Sequence, residues 1–498
     1  MINYIAMALS GLLISIPINN PDFYYLGFIA LIPALWALQR IKHSGFIHGW
    51  ILGLFLIAGT SYWIFIPLDK YGGMNIFINI ILLLLFFLVY AFFYGLWGWI
   101  FKKINYSNLV HPLILAFTWV GIEYVKFLFT PAYTFSTIGY SQRNFIEFLQ
   151  LADVGGVFLI SFITIIINAY IYKIINRKKL RYIIPLVLIF TLIFISGNIK
   201  VNNLEDKKFR TINTGIIQTN ILPENKWRTS DIKKNMQDIV NDIDYLLKNN
   251  QVDLIITPES ALTFDIIRNE YYRKIFFNKI NNFDTFIQVG SMAMIDDYKK
   301  VYNSTFLISP DNEIINRYDK VNLLPFGEYL PFNNFSKNVF GLDFEEIFSF
   351  TGYPSWGESI TLFETNYGKW KTLICSELIP PIPHKKDFDF FVNISNEGWF
   401  GRESLQEQMW TTAIFRAVEN RKPLIKSGNN AYSGVIFPDG TFIRKSPADT
   451  EEFLIKVPIR KENNTFYSNW GNLIAYISLI FIIILLIRTY FFNSSTRP

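Results

Sequence analysis

Cysteine and histidine are nearly missing from this 498-residue chain, which has one cysteine, Cys375, and four histidines. A single cysteine excludes an internal disulfide, so any exported part must be held together by packing. Three histidines, His43, His48 and His111, fall in the apolar first part, and only His384 lies in the polar middle. It sits in the loop Pro383-His384-Lys385-Lys386 and reads as a solvated surface residue. Zinc needs three or four His, Cys or carboxylate ligands at compatible spacing, and no such set is evident. A Ser-His-Asp or Cys-His site has one weak candidate base. There is no Walker or dinucleotide Gly-rich loop, no internal repeat and no Gly/Ser linker.

Apolar sequence, in contrast, is plentiful. The chain is 51% hydrophobic and 17% aromatic, the composition of a membrane protein. Seven apolar stretches, at about 3–19, 22–39, 46–68, 75–101, 109–129, 155–175 and 182–198, are long enough to cross a bilayer or nearly so. An eighth covers about 471–487. The first lacks a basic flank and is followed by further spans, so it reads as a span and not a cleaved signal. Basic residues cluster in alternate loops: Arg40 and Lys42, Lys102 and Lys103, Arg177 to Arg181, and Arg488. The other short loops carry only Lys70 and Arg143. The positive-inside rule then puts both termini in the cytoplasm and the polar middle outside it. This bias accounts for the net charge of +6, which gives no support to nucleic-acid binding. The predicted division is a membrane domain at 1–199, an exported domain at 200–468, and a last span with a short cytoplasmic tail at 469–498.

The exported part alternates strands and helices. Residues 211–218, 252–257, 286–290, 369–374 and 388–394 read as strands; 230–249, 265–282 and 403–421 read as helices. Hairpins are expected around Ser309-Pro310-Asp311-Asn312 and Pro438-Asp439-Gly440. This is the pattern of a layered α/β domain, in which chemistry collects at the carboxyl ends of strands. Glu259 and Cys375 both fall there. A lone cysteine either packs as a small hydrophobe or acts as a nucleophile. Without histidine, a nucleophilic thiol needs a buried carboxylate as base and a cation to steady negative charge. Glu259 ends the apolar run 254–258, and Lys320 opens the segment Lys320-Val321-Asn322-Leu323-Leu324-Pro325-Phe326-Gly327-Glu328.

The order Glu, Lys, Cys across an α/β domain resembles the nitrilase superfamily, and the local wording is similar to apolipoprotein N-acyltransferases. The matching segments are Thr257-Pro258-Glu259, Tyr318 to Pro331, Cys375-Ser376-Glu377, Asn393 to Gly401, Arg416 to Pro423, and Gln218-Thr219-Asn220 with Trp227. Glu123 to Lys126, Gly139 to Gln142 and Ala152 to Gly156 extend the resemblance into the membrane part. It implies an eight-span membrane domain carrying an exported αββα sandwich, with no cofactor and no metal. It also implies a bacterial inner-membrane enzyme with a periplasmic catalytic side, monomeric and without nucleic-acid partners. Cys375 would take an acyl chain from a phospholipid, typically phosphatidylethanolamine, as a thioester. The chain would then pass to the N-terminal amine of a diacylglyceryl apolipoprotein. Glu259 would be the base and Lys320 the oxyanion partner. Glu328, Glu377, Trp227 and Ser376 would support the site or bind substrate. Ser376 departs from the tyrosine common in the family, and Glu397 stands where aspartate is common. On its residues alone, the aromatic segment 340–356 reads either as an arm touching lipid or as a packed loop. Two alternatives stay open on the residues alone: a membrane-tethered amidohydrolase that resolves the thioester with water, and a non-enzymatic membrane protein.

Overall fold

A computed structural model describes residues 1–103, 111–205, 210–280, 284–295, 300–331, 333, 337–338, 341, 354–385, 387–401, 403–449, 452–459 and 464–494. Phe340, Phe344, Phe348, Phe350 and Tyr353 of the expected aromatic arm lie outside these residues. Among the described residues, seven helical segments are long and apolar enough to cross a membrane: 2–19, 21–40, 46–71, 76–103, 112–129, 152–177 and 180–204. The eighth, Leu473–Ser494, has a shorter apolar portion of 17 residues, Leu473–Thr489, so the count of eight is approximate. Backbone groups in hydrocarbon must bond internally, and that is why these runs become helices. Their outward faces are apolar: Ile81, Leu84, Leu85 and Val89 of Ile76–Lys103 are all exposed.

Two departures from plain helices have local causes. The second segment is a 3₁₀ turn, Pro21–Phe28, followed by a helix, Ile32–Arg40, whose first turn carries Pro33, which has no N–H to continue the preceding helix. The sixth helix, Ala152–Arg177, breaks at Gly155 and Gly156. Gly156 has φ +62, and a Cβ there would lie 2.4 Å from the Tyr467 ring. Only glycine fits that conformation and that contact.

The α/β part holds two sheets. In chain order the strands are β1 (Arg210–Ile217), β2 (Leu254–Ile256), β3 (Leu262–Asp265), β4 (Phe286–Ile295), β5 (Lys300–Ile308) and β6 (Ile314–Asp319). They continue as β7 (Leu362–Thr365), β8 (Gly368–Ile374), β9 (Phe390–Asn396), β10 (Leu424–Asn429), β11 (Ser433–Ile436), β12 (Phe442–Lys445) and β13 (Glu452–Ile459). The first sheet runs β13-β1-β2-β4-β5-β6, with β3 paired to β4; the second runs β12-β11-β10-β9-β8-β7. Strands β1, β2 and β4 are parallel, as are β8, β9 and β10. Parallel strands are covered on both faces, which explains their unbroken apolar runs. Ile216, Ile256, Trp370, Ile374, Val392 and Ile394 form part of the core shared by the two sheets.

A helix covers each outer face. Ile232–Asn249 lays Met236, Ile239, Ile243 and Leu246 on the first sheet, the 3.6-residue spacing visible in the sequence. Glu403–Asn420 joins the second sheet to the membrane helices, and Trp410, Ile414 and Val418 share one core with Phe148 and Phe158. The helix expected over 265–282 is shorter, Glu270–Lys279. Residues 262–265 instead form β3, the Asp265 carboxylate accepts from the Ile267 and Arg268 amides, and Asn269 caps the helix.

Ion pairs tie the two halves together. Arg421 Nη2 lies 2.8 Å from Asp153 Oδ2, and its Nη1 donates to Gln150 at 2.6 Å. Arg143 pairs with Glu407 at 2.5 Å, and Arg444 joins the same carboxylate at 2.9 Å. Glu123 and Lys126 sit one turn apart but face separate partners. Glu123 accepts from Trp119 and the Ile138 amide, while Lys126 donates to Ser136. His384 is buried, contrary to the sequence expectation. Its loop is pinned at the junction, where Pro380 accepts from Arg416 and Pro381 from Asn472. The imidazole Nδ1 then lies 2.6 Å from Lys371 Nζ and the ring packs on Phe391. Burial, then Lys371, holds it well below the ordinary histidine range.

Candidate active site

The carboxyl ends of β2, β6 and β8 deliver the three residues expected to do chemistry. After β2 the chain turns through Thr257-Pro258, and Glu259 becomes a buried carboxylate. The neighbouring strand β4 passes so close that a Cβ on Gly290 would lie 2.3 Å from the Pro258 carbonyl and 2.8 Å from the Ser260 amide. Asn303 of β5 donates to Glu259 Oε1 at 2.6 Å and to Glu328 Oε1 at 3.3 Å.

Lys320 follows β6 directly and is buried. Its Nζ is 2.7 Å from Glu328 Oε2 and 4.0 Å from Glu259 Oε1. Glu328 is held in turn by the Leu324 amide at 2.7 Å. Burial alone would lower the Lys320 ammonium, but Glu328, Cys375 and Glu259 overcome it and hold the group above the ordinary lysine range. Lys320 is therefore a fixed cation between two carboxylates.

Cys375 directly follows β8 in a left-handed conformation, φ +49, and opens the short turn Cys375–Leu378. Such a φ on a non-glycine residue is strained and points the side chain away from the strand direction. The residue is half-buried. Burial, then Glu259, pushes the thiol up, while Lys320 pulls it down. The resting thiol thus keeps its proton and needs a base to lose it.

Glu377 fastens this turn to the lysine segment. Its Oε1 accepts from the Val321 and Asn322 amides at 2.9 Å each, and its Oε2 from the Ile374 amide at 2.9 Å. The Tyr318 hydroxyl reaches both oxygens, at 2.8 and 2.9 Å. Ser376 is buried, and its hydroxyl has no hydrogen-bond partner among the described residues. Trp227 lies just after the short helix Pro223–Lys226 and is 43% exposed. Trp356 is half-exposed and meets Tyr329 edge-on at 5.3 Å.

Three further groups border the site. Asn303 holds the base. Lys426, within β10, pairs at 2.7 Å with Glu397, which follows β9. Lys226 donates to the Glu259 carbonyl at 2.9 Å. Asn303 carried a faint signal, as an amide inside a strand whose neighbours are buried. Lys226 and Lys426 carried none, because a lysine in sequence does not show what its ammonium will meet. Among the described residues no cluster of three metal-ligating side chains exists.

Comparison with known proteins shows the family. Residues 213–462 match the carbon-nitrogen hydrolase family, and residues 10–170 match the apolipoprotein N-acyltransferase N-terminal domain. An apolipoprotein N-acyltransferase of Geobacter metallireducens is 27% identical over 95% of this chain and 92% of its own length. Apolipoprotein N-acyltransferase 2 of Treponema denticola is 28% identical over 97% of each chain. That of Borreliella burgdorferi is 25% identical over 98% of this chain and 96% of its own. The chain belongs to the carbon-nitrogen hydrolase family, in the branch that carries the apolipoprotein N-acyltransferase membrane domain.

Proposed function

We propose that this protein is a phospholipid:apolipoprotein N-acyltransferase that works through a thioester on Cys375. It is a multi-pass bacterial membrane protein whose substrates are phospholipid and lipoprotein. In the first step Glu259 takes the Cys375 proton and Sγ bonds to the ester carbonyl carbon. The displaced electron pair rests on the oxygen, beside Lys320 and a backbone N–H next to Cys375. Collapse expels the sn-1 alkoxide, which takes the proton from Glu259 and departs as lysophospholipid. In the second step the α-amine of a diacylglyceryl-cysteine attacks the thioester and gives its proton to Glu259. The C–S bond breaks, an amide forms, and the thiolate regains the proton.

Phosphatidylethanolamine is the donor on this reading, and the enzyme acts as a monomer. Residues 200–468 work on the periplasmic face, and both termini lie in the cytoplasm, as the loop charges favour. The observation that carries the proposal is the buried Glu259–Lys320–Glu328 cluster at the strand ends beside a thiol. Its attachment to an apolar membrane half favours a lipid-borne acceptor over water. Purified protein in detergent is given phosphatidylethanolamine labelled in the sn-1 chain and a diacylglyceryl-cysteine peptide. The expected product is the N-acylated peptide. Release of free fatty acid with the peptide unmodified would overturn the proposal in favour of hydrolysis.

A further inference from the structure

We infer that Lys226 is a positioning residue for the acyl-transfer site, acting through Glu259 as a second, rear-side cation. The inference rests on the reading of Glu259 as the base.

Lys226 is 1% exposed, and its Nζ donates to the backbone carbonyl of Glu259 at 2.9 Å. No carboxylate lies within ion-pair distance of it among the described residues. A buried ammonium without a carboxylate partner is costly to desolvate. Methionine or leucine would fill the same space at no such cost, so packing alone does not account for a lysine. Asn235 of the helix 232–249 donates to the Lys226 carbonyl at 3.3 Å, which fixes the backbone the ammonium starts from. The next residue is the half-exposed Trp227, so one peptide segment carries both the ammonium that meets the Glu259 carbonyl and a partly solvent-facing indole.

The effect on the base follows from what surrounds it. Glu259 is faced by Lys320 from the end of β6, Asn303 from β5, and Glu328 from the turn after Leu324. Cys375 and Glu397 approach from the ends of β8 and β9, and Lys226 from the helix Pro223–Lys226. Lys320 is shared with Glu328, and Glu397 adds negative charge. A second positive charge near a carboxylate favours its ionised form, the form that can accept a proton. The hydrogen bond to its carbonyl also holds the Glu259 peptide against rotation. Burial lowers the Lys226 ammonium to about 8, and Glu259 opposes that shift.

The test is the pH profile of acylation at Cys375 by phospholipid, in wild-type protein, Lys226→Met and Lys226→Arg. An opposite charge close to a carboxylate moves its titration by roughly 1–3 units. Lys226→Met should shift the acid limb of the profile upward by about one pH unit. Lys226→Arg should keep the limb in place even if its rate falls. A slower Lys226→Met enzyme with an unmoved limb overturns the inference, because a merely structural residue would behave that way. Equal shifts in both variants also overturn it. Lys226→Gln is the replacement if the methionine variant does not fold. Failure of the wild-type protein to acylate at all would instead contradict the functional proposal itself.

Discussion

Replacing Glu377 with glutamine tests how the site is held together without touching the reacting atoms. The carboxylate accepts three backbone amides and the Tyr318 hydroxyl. Glutamine keeps the size but has one acceptor oxygen. The oxygen would stay with the Val321 and Asn322 amides, because two donors outweigh one. The new NH₂ would then face the Ile374 amide, donor against donor, while the Tyr318 hydroxyl turns to accept. An orphaned buried N–H costs about 1–3 kcal/mol, and each remaining bond loses about 1 kcal/mol when the acceptor loses its charge. The sum is about 3–5 kcal/mol. Val321 and Asn322 follow Lys320, and Ile374 precedes Cys375, so the loss loosens the cation and the nucleophile together. If about 3 kcal/mol of it falls on the transition state, acylation slows by about a hundredfold. The assay is the single-turnover rate of acyl-enzyme formation with phospholipid, with thermal unfolding measured alongside. A Glu377→Gln protein with near wild-type rate and melting temperature would refute this account of the clamp.

Three other substitutions test separate parts of the structure. Gly290→Ala puts a methyl against the Pro258 carbonyl and the Ser260 amide, both backbone, so the Glu259 turn must move; acylation should fall by about tenfold to a hundredfold, since small misplacements cost that much. Asp242 is pushed up to about 7 by burial, then by Glu452 and Asp238. A carboxyl raised on folding contributes stability at low pH that is lost as pH rises through about 7. Asp242→Asn should therefore raise the melting temperature most at pH 8 and least at pH 4, and a pH-independent change would count against the assignment. Among the described residues, Arg421→Met leaves Asp153 with Lys200 as its one cation and removes bonds to Gln150 and the Pro438 carbonyl. With Lys200 still beside Asp153, the loss is that of the hydrogen bonds left unmade, about 1–3 kcal/mol, so unfolding should begin a few degrees lower. An unchanged melting curve would show that this contact does not tie the halves together.

The layout was legible where one physical demand dominates. Hydrocarbon demands long apolar runs, so the span positions could be read within a few residues; Ile76–Lys103, expected at about 75–101, is an instance. Parallel strands covered on both faces demand short apolar runs, and the places where those runs stop expose Glu259 and Cys375. The structure brings both next to Lys320. What stayed hidden depends on pairing between distant segments. Nothing around His384 in sequence shows that Arg416 and Asn472 will pin its loop and bury it. Asn303 and Lys226 reach Glu259 across 44 and 33 residues, a relation that no local pattern encodes. The break at Gly155 and Gly156 becomes intelligible only with Tyr467 beside it.

The central claim is that Cys375 carries the acyl chain, and intact-protein mass tests it most directly. Wild-type protein mixed with phosphatidylethanolamine and no acceptor should gain the mass of one acyl group. Hydroxylamine should remove it, and Cys375→Ala should never acquire it. An acyl adduct of the same size on Cys375→Ala, or a wild-type protein that turns over donor with no adduct, would contradict the account.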